Sequence, residues 1–83
     1  MRKDYRQAAR ERLGTRAWIR FDDGFSVRQC VVADLSNSGV RLLVDEPHAV
    51  AGRFSLLLKR EAVPGRRCRV IWRRGTEIGA EFI

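Results

Sequence analysis

The chain has 83 residues, enough for one domain with a single modest core and too few for two. Seventeen Lys and Arg against ten Asp and Glu leave a net charge of +7, within an otherwise ordinary globular composition of 45% hydrophobic and 33% charged residues. No apolar run approaches the ~20 residues that span a bilayer, and Met1-Arg2-Lys3-Asp4-Tyr5-Arg6 lacks the apolar segment of a secretory signal. The expectation is a cytoplasmic protein without membrane insertion.

Residues 1–13 are polar and strongly charged, with almost no apolar stripe, and read as a basic N-terminal arm ahead of a domain over residues 14–83. From Thr15 the pattern takes a period of two. Ala17, Ile19 and Phe21 alternate with Arg16, Trp18 and Arg20, and Asp22-Asp23-Gly24 marks a hairpin turn. A second strand, Phe25 to about Leu35, is expected to turn Phe25, Val27, Val31, Ala33 and Leu35 to one face, before Ser36-Asn37-Ser38-Gly39 breaks it. Val40, Leu42 and Val44 mark a third strand, and Phe54, Leu56 and Leu58 a fourth, after the loop from Asp45 to Gly52.

Pro64-Gly65 punctuates the next connection. Cys68, Val70 and Trp72 are then expected to face inward on a fifth strand, and Ile78, Ala80 and Phe82 on a sixth. Six short strands with turn signals between them and no amphipathic helix predict an all-β fold, an antiparallel barrel or sandwich. Closure would remove the exposed edges of so small a sheet.

Catalytic and metal chemistry find little to stand on. Cys30 and Cys68 lie far apart inside apolar stretches, as two reduced core thiols would. His48 is alone, and no paired carboxylates form a recognisable acid–base arrangement. A binding protein is expected, with no metal and no cofactor. Fifteen of the seventeen cations are arginine, the side chain that grips phosphate or the edge of a guanine with a planar fork. The expected partner is therefore an anion. Single-stranded nucleic acid is the main competitor, but no exposed aromatic platform is legible, since the aromatics mostly fall on the apolar face.

Two features carry chemistry. Arg6-Gln7-Ala8-Ala9-Arg10 puts two guanidinium groups four residues apart, on one face whether helical or extended, although Arg2/Arg6 and Arg12/Arg16 repeat the spacing and a solvated basic arm would show it too. Asp34-Leu35-Ser36-Asn37-Ser38-Gly39 places a carboxylate and a hydroxyl on one side of a strand, away from Leu35, with a glycine for close backbone approach. A plain turn would use the same residue types.

Taken together, R-x-x-x-R at Arg6–Arg10 and D-x-S-x-x-G at Asp34–Gly39 resemble the PilZ domain, a bacterial receptor for the second messenger cyclic di-GMP. The likeness extends to Leu13–Phe21, DLSNSGVRLL at Asp34–Leu43, Gly52 with Phe54–Leu58, and the closing pair Arg69–Arg74 and Ile78–Phe82. It implies a six-stranded antiparallel β-barrel of the split-barrel type. It also implies cyclic di-GMP binding by Arg6, Arg10, Asp34, Ser36 and Gly39, with Gln7, Arg12 and Arg41 in support.

The arm would close over the ligand and relay the signal to an unidentified effector protein. Members without the arginines act as nucleotide-independent interaction modules, an alternative kept open here. Many members continue into a long C-terminal helix, whereas this sequence ends at Phe82-Ile83. The resulting uncovered apolar end would favour homodimerisation or docking on a partner.

Overall fold

A computed structural model describes residues 10–58 and 65–83, the first four of them by their backbone only. Six strands close into one antiparallel barrel: β1 (Arg10–Arg20), β2 (Val27–Ser36), β3 (Gly39–Leu43), β4 (Arg53–Leu57), β5 (Arg66–Arg74) and β6 (Glu77–Phe82). Around the barrel they run β1-β2-β3-β6-β5-β4, with β4 returning to β1. A single 3-10 turn, Pro47–Ala49, interrupts the β3–β4 connection. Among the described residues no helix is long and apolar enough to cross a membrane.

Alternation builds the core. Ala17, Ile19, Val40, Leu42, Val44, Phe54, Leu56, Cys68, Ile78 and Ala80 are all buried inside the barrel. Each fully buried large side chain among them stabilises the fold by about 1.5–3 kcal/mol. Both cysteines are free and buried, and loss of hydration pushes their thiols up, to about 12 at Cys30 and about 11 at Cys68. Arg73 braces the long β3–β4 connection by donating to the carbonyls of Pro47 (3.0 Å) and Val50 (2.8 Å).

Three bulges interrupt the alternation, and they change which side chains face out. β1 carries one between Arg12 and Thr15, where Gly14 takes a φ of 69° that a side chain would strain. β2 carries one at Ala33: Val32 pairs with Leu42, whereas Asp34 pairs with Arg41 and Leu35 with Val40. The inward residues of β2 are therefore Cys30 and Val32 before the bulge and Leu35 after it. This corrects the sequence expectation for the strand, in which Val31 and Ala33 faced the core. Phe25 and Val27 are likewise exposed rather than inward, Phe25 by 89% at the hairpin tip.

The third bulge lies at Ile71 on β5, between the Val70–Ala80 and Trp72–Gly79 rungs. It turns Trp72 to the outer face, where the alternation had placed it inward. On β4 the inward pair is Phe54 and Leu56, with Leu58 exposed. Arg10 to Arg12, assigned to the arm by composition, form the first rungs of β1 opposite Ser36 to Asp34.

Candidate functional site

The bulges assemble one row of residues across five strands. Arg12 on β1 pairs with Asp34 on β2, Asp34 with Arg41 on β3, Arg41 with Gly79 on β6, and Gly79 with Trp72 on β5. A second row runs beside it, in which Arg10 pairs with Ser36, and Gly39 pairs with Glu81, which pairs in turn with Arg69. Between the rows lies an open cavity of about 230 Å³, lined by Asp34, Ser36, Gly39, Arg41, Ile71 and Trp72 among others.

The glycines make this surface possible. A Cβ at Gly79 would stand within 2.6 Å of three indole atoms of Trp72, so only glycine lets the ring lie flat on β6. A Cβ at Gly39 would overlap the carbonyl oxygen of Ala80, so only glycine lets β3 and β6 meet at this rung. The guanidinium of Arg74 lies 5.3 Å from the centroid of the Trp72 ring, a cation–π contact.

The polar groups are held as tightly. Asp34 is 6% exposed although it faces outward, and its Oδ2 accepts from Arg41 Nε at 2.5 Å. Arg41 also reaches Glu77, with Nη1 3.2 Å from Oε2. These two carboxylates, Asp34 first and Glu77 second, raise the pKa of Arg41 above its usual value. Ser36 closes the β2–β3 turn: its Oγ accepts from the backbone N–H of Gly39 (3.2 Å) and Ser38 (3.3 Å) and donates to the Gly39 carbonyl. The turn role and a place on the cavity wall therefore coincide in one residue.

The structure thus brings together Asp34, Ser36, Gly39 and Arg41, four of the residues singled out from the sequence. It places the backbone of Arg10 and Arg12 at adjoining rungs. Arg6 and Gln7 lie outside the described residues. Sequence reading missed Trp72, Gly79 and Glu77. The apolar run Val70-Ile71-Trp72 hides the phase of the strand, and the signal for Trp72 was Gly79 at the facing rung, which leaves room for a ring.

An apolar depression lies at one end of the barrel, lined by Leu35, Leu56, Leu58 and Phe82 with Ser36, Asn37 and Arg66. Arg66 stacks over the Phe82 ring, 4.1 Å from its centroid, and Ile83 is 55% exposed. Among the described residues no group of three His, Cys, Asp or Glu side chains is placed to hold a metal ion.

No protein of curated function matches the chain. Residues 2–83 match the family model of the PilZ domain, nearly end to end, and with the closed six-stranded barrel this shows that the chain belongs to the PilZ domain family.

Proposed function

We propose that the protein is a cyclic di-GMP receptor that binds its ligand across the Asp34–Trp72 row and relays that binding to a protein partner. The observation that carries the reading is the convergence of the buried Asp34 carboxylate, the Trp72 indole and the Arg41 guanidinium on one open cavity beside the D-x-S-x-x-G motif of a PilZ domain. Cyclic di-GMP is a dianion with two guanine bases. The N1–H and amino group of a guanine suit the Asp34 carboxylate, its N7 and O6 suit an arginine fork, and its flat face suits Trp72. At about 230 Å³ the cavity is smaller than one that encloses a drug-sized ligand, so it takes one base and leaves the rest of the dinucleotide outside. That remainder lies toward the rungs of Arg10 and Arg12, which with Arg6 and Gln7 would take the phosphates and the second base.

In this reading the arm orders on the barrel when ligand bridges its arginines to Asp34 and Ser36, and the surface so formed is what an effector recognises. Limited proteolysis at Arg2 and Arg6, ahead of β1, reads this step, with protection expected on addition of cyclic di-GMP and unchanged cleavage at saturating ligand counting against it. Calorimetric titration of cyclic di-GMP into the wild type and Arg10→Ala, with GMP as control, tests the receptor itself. Loss of one charge-assisted contact weakens binding by roughly 1.5–3 kcal/mol. A wild type that binds no cyclic di-GMP would leave a nucleotide-independent interaction module.

One observation favours a second reading. Trp72 on the outer face is an aromatic platform of the kind single-stranded nucleic acid uses, and the net charge of +7 would serve it. Preference for a long oligonucleotide over cyclic di-GMP, with steep loss of affinity in salt, would establish that reading instead.

A further inference from the structure

We infer that Glu77 is a positioning residue that sets the affinity of the cavity by anchoring Arg41 beside Asp34; the inference rests on the reading of the cavity as the cyclic di-GMP site. Glu77 lies in neither motif and is not part of the cavity wall. It reaches Asp34 through Arg41, whose Nε is bonded to Asp34 Oδ2 while its Nη1 pairs with Glu77 Oε2.

A guanine presents N1–H and its amino group side by side, and a carboxylate meets that edge best with both oxygens. With the Asp34 side chain only 8% exposed and Oδ2 engaged by Arg41, a guanine competes with the guanidinium for the carboxylate. Turning toward a ligand phosphate satisfies Arg41 again, but the turn breaks the contact with Glu77 as well as the one with Asp34. Glu77 therefore favours the arrangement that the ligand has to undo.

The two ends of the relay differ in shielding. The Asp34 side chain is 8% exposed, whereas those of Arg41 and Glu77 are 36% and 35% exposed. Solvent and salt weaken the Glu77 half, so this residue tunes the site and does not build it. The rung partners of Glu77 are Arg74 on β5 and Leu43 on β3. Neither replaces its carboxylate as an anchor for Arg41.

The test is calorimetric titration of cyclic di-GMP into the full chain as wild type, Glu77→Gln and Glu77→Asp, and into Arg41→Gln with and without Glu77→Gln, at low and high salt. Thermal unfolding of each variant identifies any that has lost its fold. Glu77→Gln should tighten binding about three- to tenfold at low salt and less at high salt. Glu77→Asp, which keeps the charge, should stay near the wild type. The gain should vanish in the Arg41→Gln background, because the residue through which Glu77 acts is gone. An equal gain with and without Arg41 would show that Glu77 acts by charge alone and would overturn the inference, as would unchanged or weaker binding by Glu77→Gln. A wild type that fails to bind cyclic di-GMP refutes the receptor reading first, and the inference with it.

Discussion

Truncation of Trp72 separates the site from the fold more cleanly than any other single change. The bulge at Ile71 puts this indole on the outer face, above Gly79 and outside the buried core cluster. Trp72→Ala therefore opens no cavity inside the barrel, and its stability cost should fall well below the 3–5 kcal/mol of a buried aromatic truncation, at about 1–2 kcal/mol. Binding should suffer more. Stacking of one base on an aromatic ring contributes about 1–3 kcal/mol, which is roughly a 5- to 150-fold change in Kd. Trp72→Phe keeps a stacking face and should stay within about fivefold of the wild type.

The assay is calorimetric titration with cyclic di-GMP on all three proteins, with thermal unfolding to confirm that each is folded. Fluorescence gives an independent readout, because the chain has two tryptophans and Trp18 lies on β1, paired with Leu57 and Gln29. In a Trp18→Phe background the remaining emission reports Trp72 alone, and ligand should quench it. Wild-type affinity in a folded Trp72→Ala protein, with no quenching in the Trp18→Phe background, would refute the stacking role.

Three further outcomes follow from the geometry. Gly79→Ala should displace the indole from β6, costing about 1–3 kcal/mol in thermal unfolding through overpacking and lowering ligand affinity alongside Trp72→Ala. Asp34→Asn should weaken cyclic di-GMP binding by about 1.5–3 kcal/mol in calorimetry while leaving the far-ultraviolet spectrum of the barrel intact, because the amide keeps the shape of the carboxylate and loses its charge. Cys30 and Cys68 should resist a thiol reagent in the folded protein at pH 8 and react fully in denaturant. Their raised folded-state values mean that the stability they contribute is fully present below the usual thiol value of 9.0 and is lost as the pH rises toward about 11 and 12. An unfolding midpoint that stays flat from pH 8 to 11 would contradict this.

The amino-acid sequence by itself determined an all-β barrel or sandwich, and its resemblance to the PilZ domain selected the barrel and the neighbourhood of the candidate site. Alternation of period two, punctuated by Asp22-Asp23-Gly24, Ser36–Gly39 and Pro64-Gly65, is a local signal, because each strand must bury one face whatever its neighbours are. Asp34, Ser36 and Gly39 were legible for the same reason, as their spacing alone puts them at one strand end. The phase of β2 and β5 was not legible. The runs Cys30-Val31-Val32-Ala33 and Val70-Ile71-Trp72 are apolar at every position, so either phase satisfies the pattern, and a bulge shows only against the strand it pairs with. Asp34 shares the parity of Cys30 and Val32, and a carboxylate there was the one local hint that the phase must break. The cross-barrel row from Arg12 to Trp72 and the reach of Arg41 to Glu77 join residues distant in the chain, and register, which only barrel closure sets, brings them together.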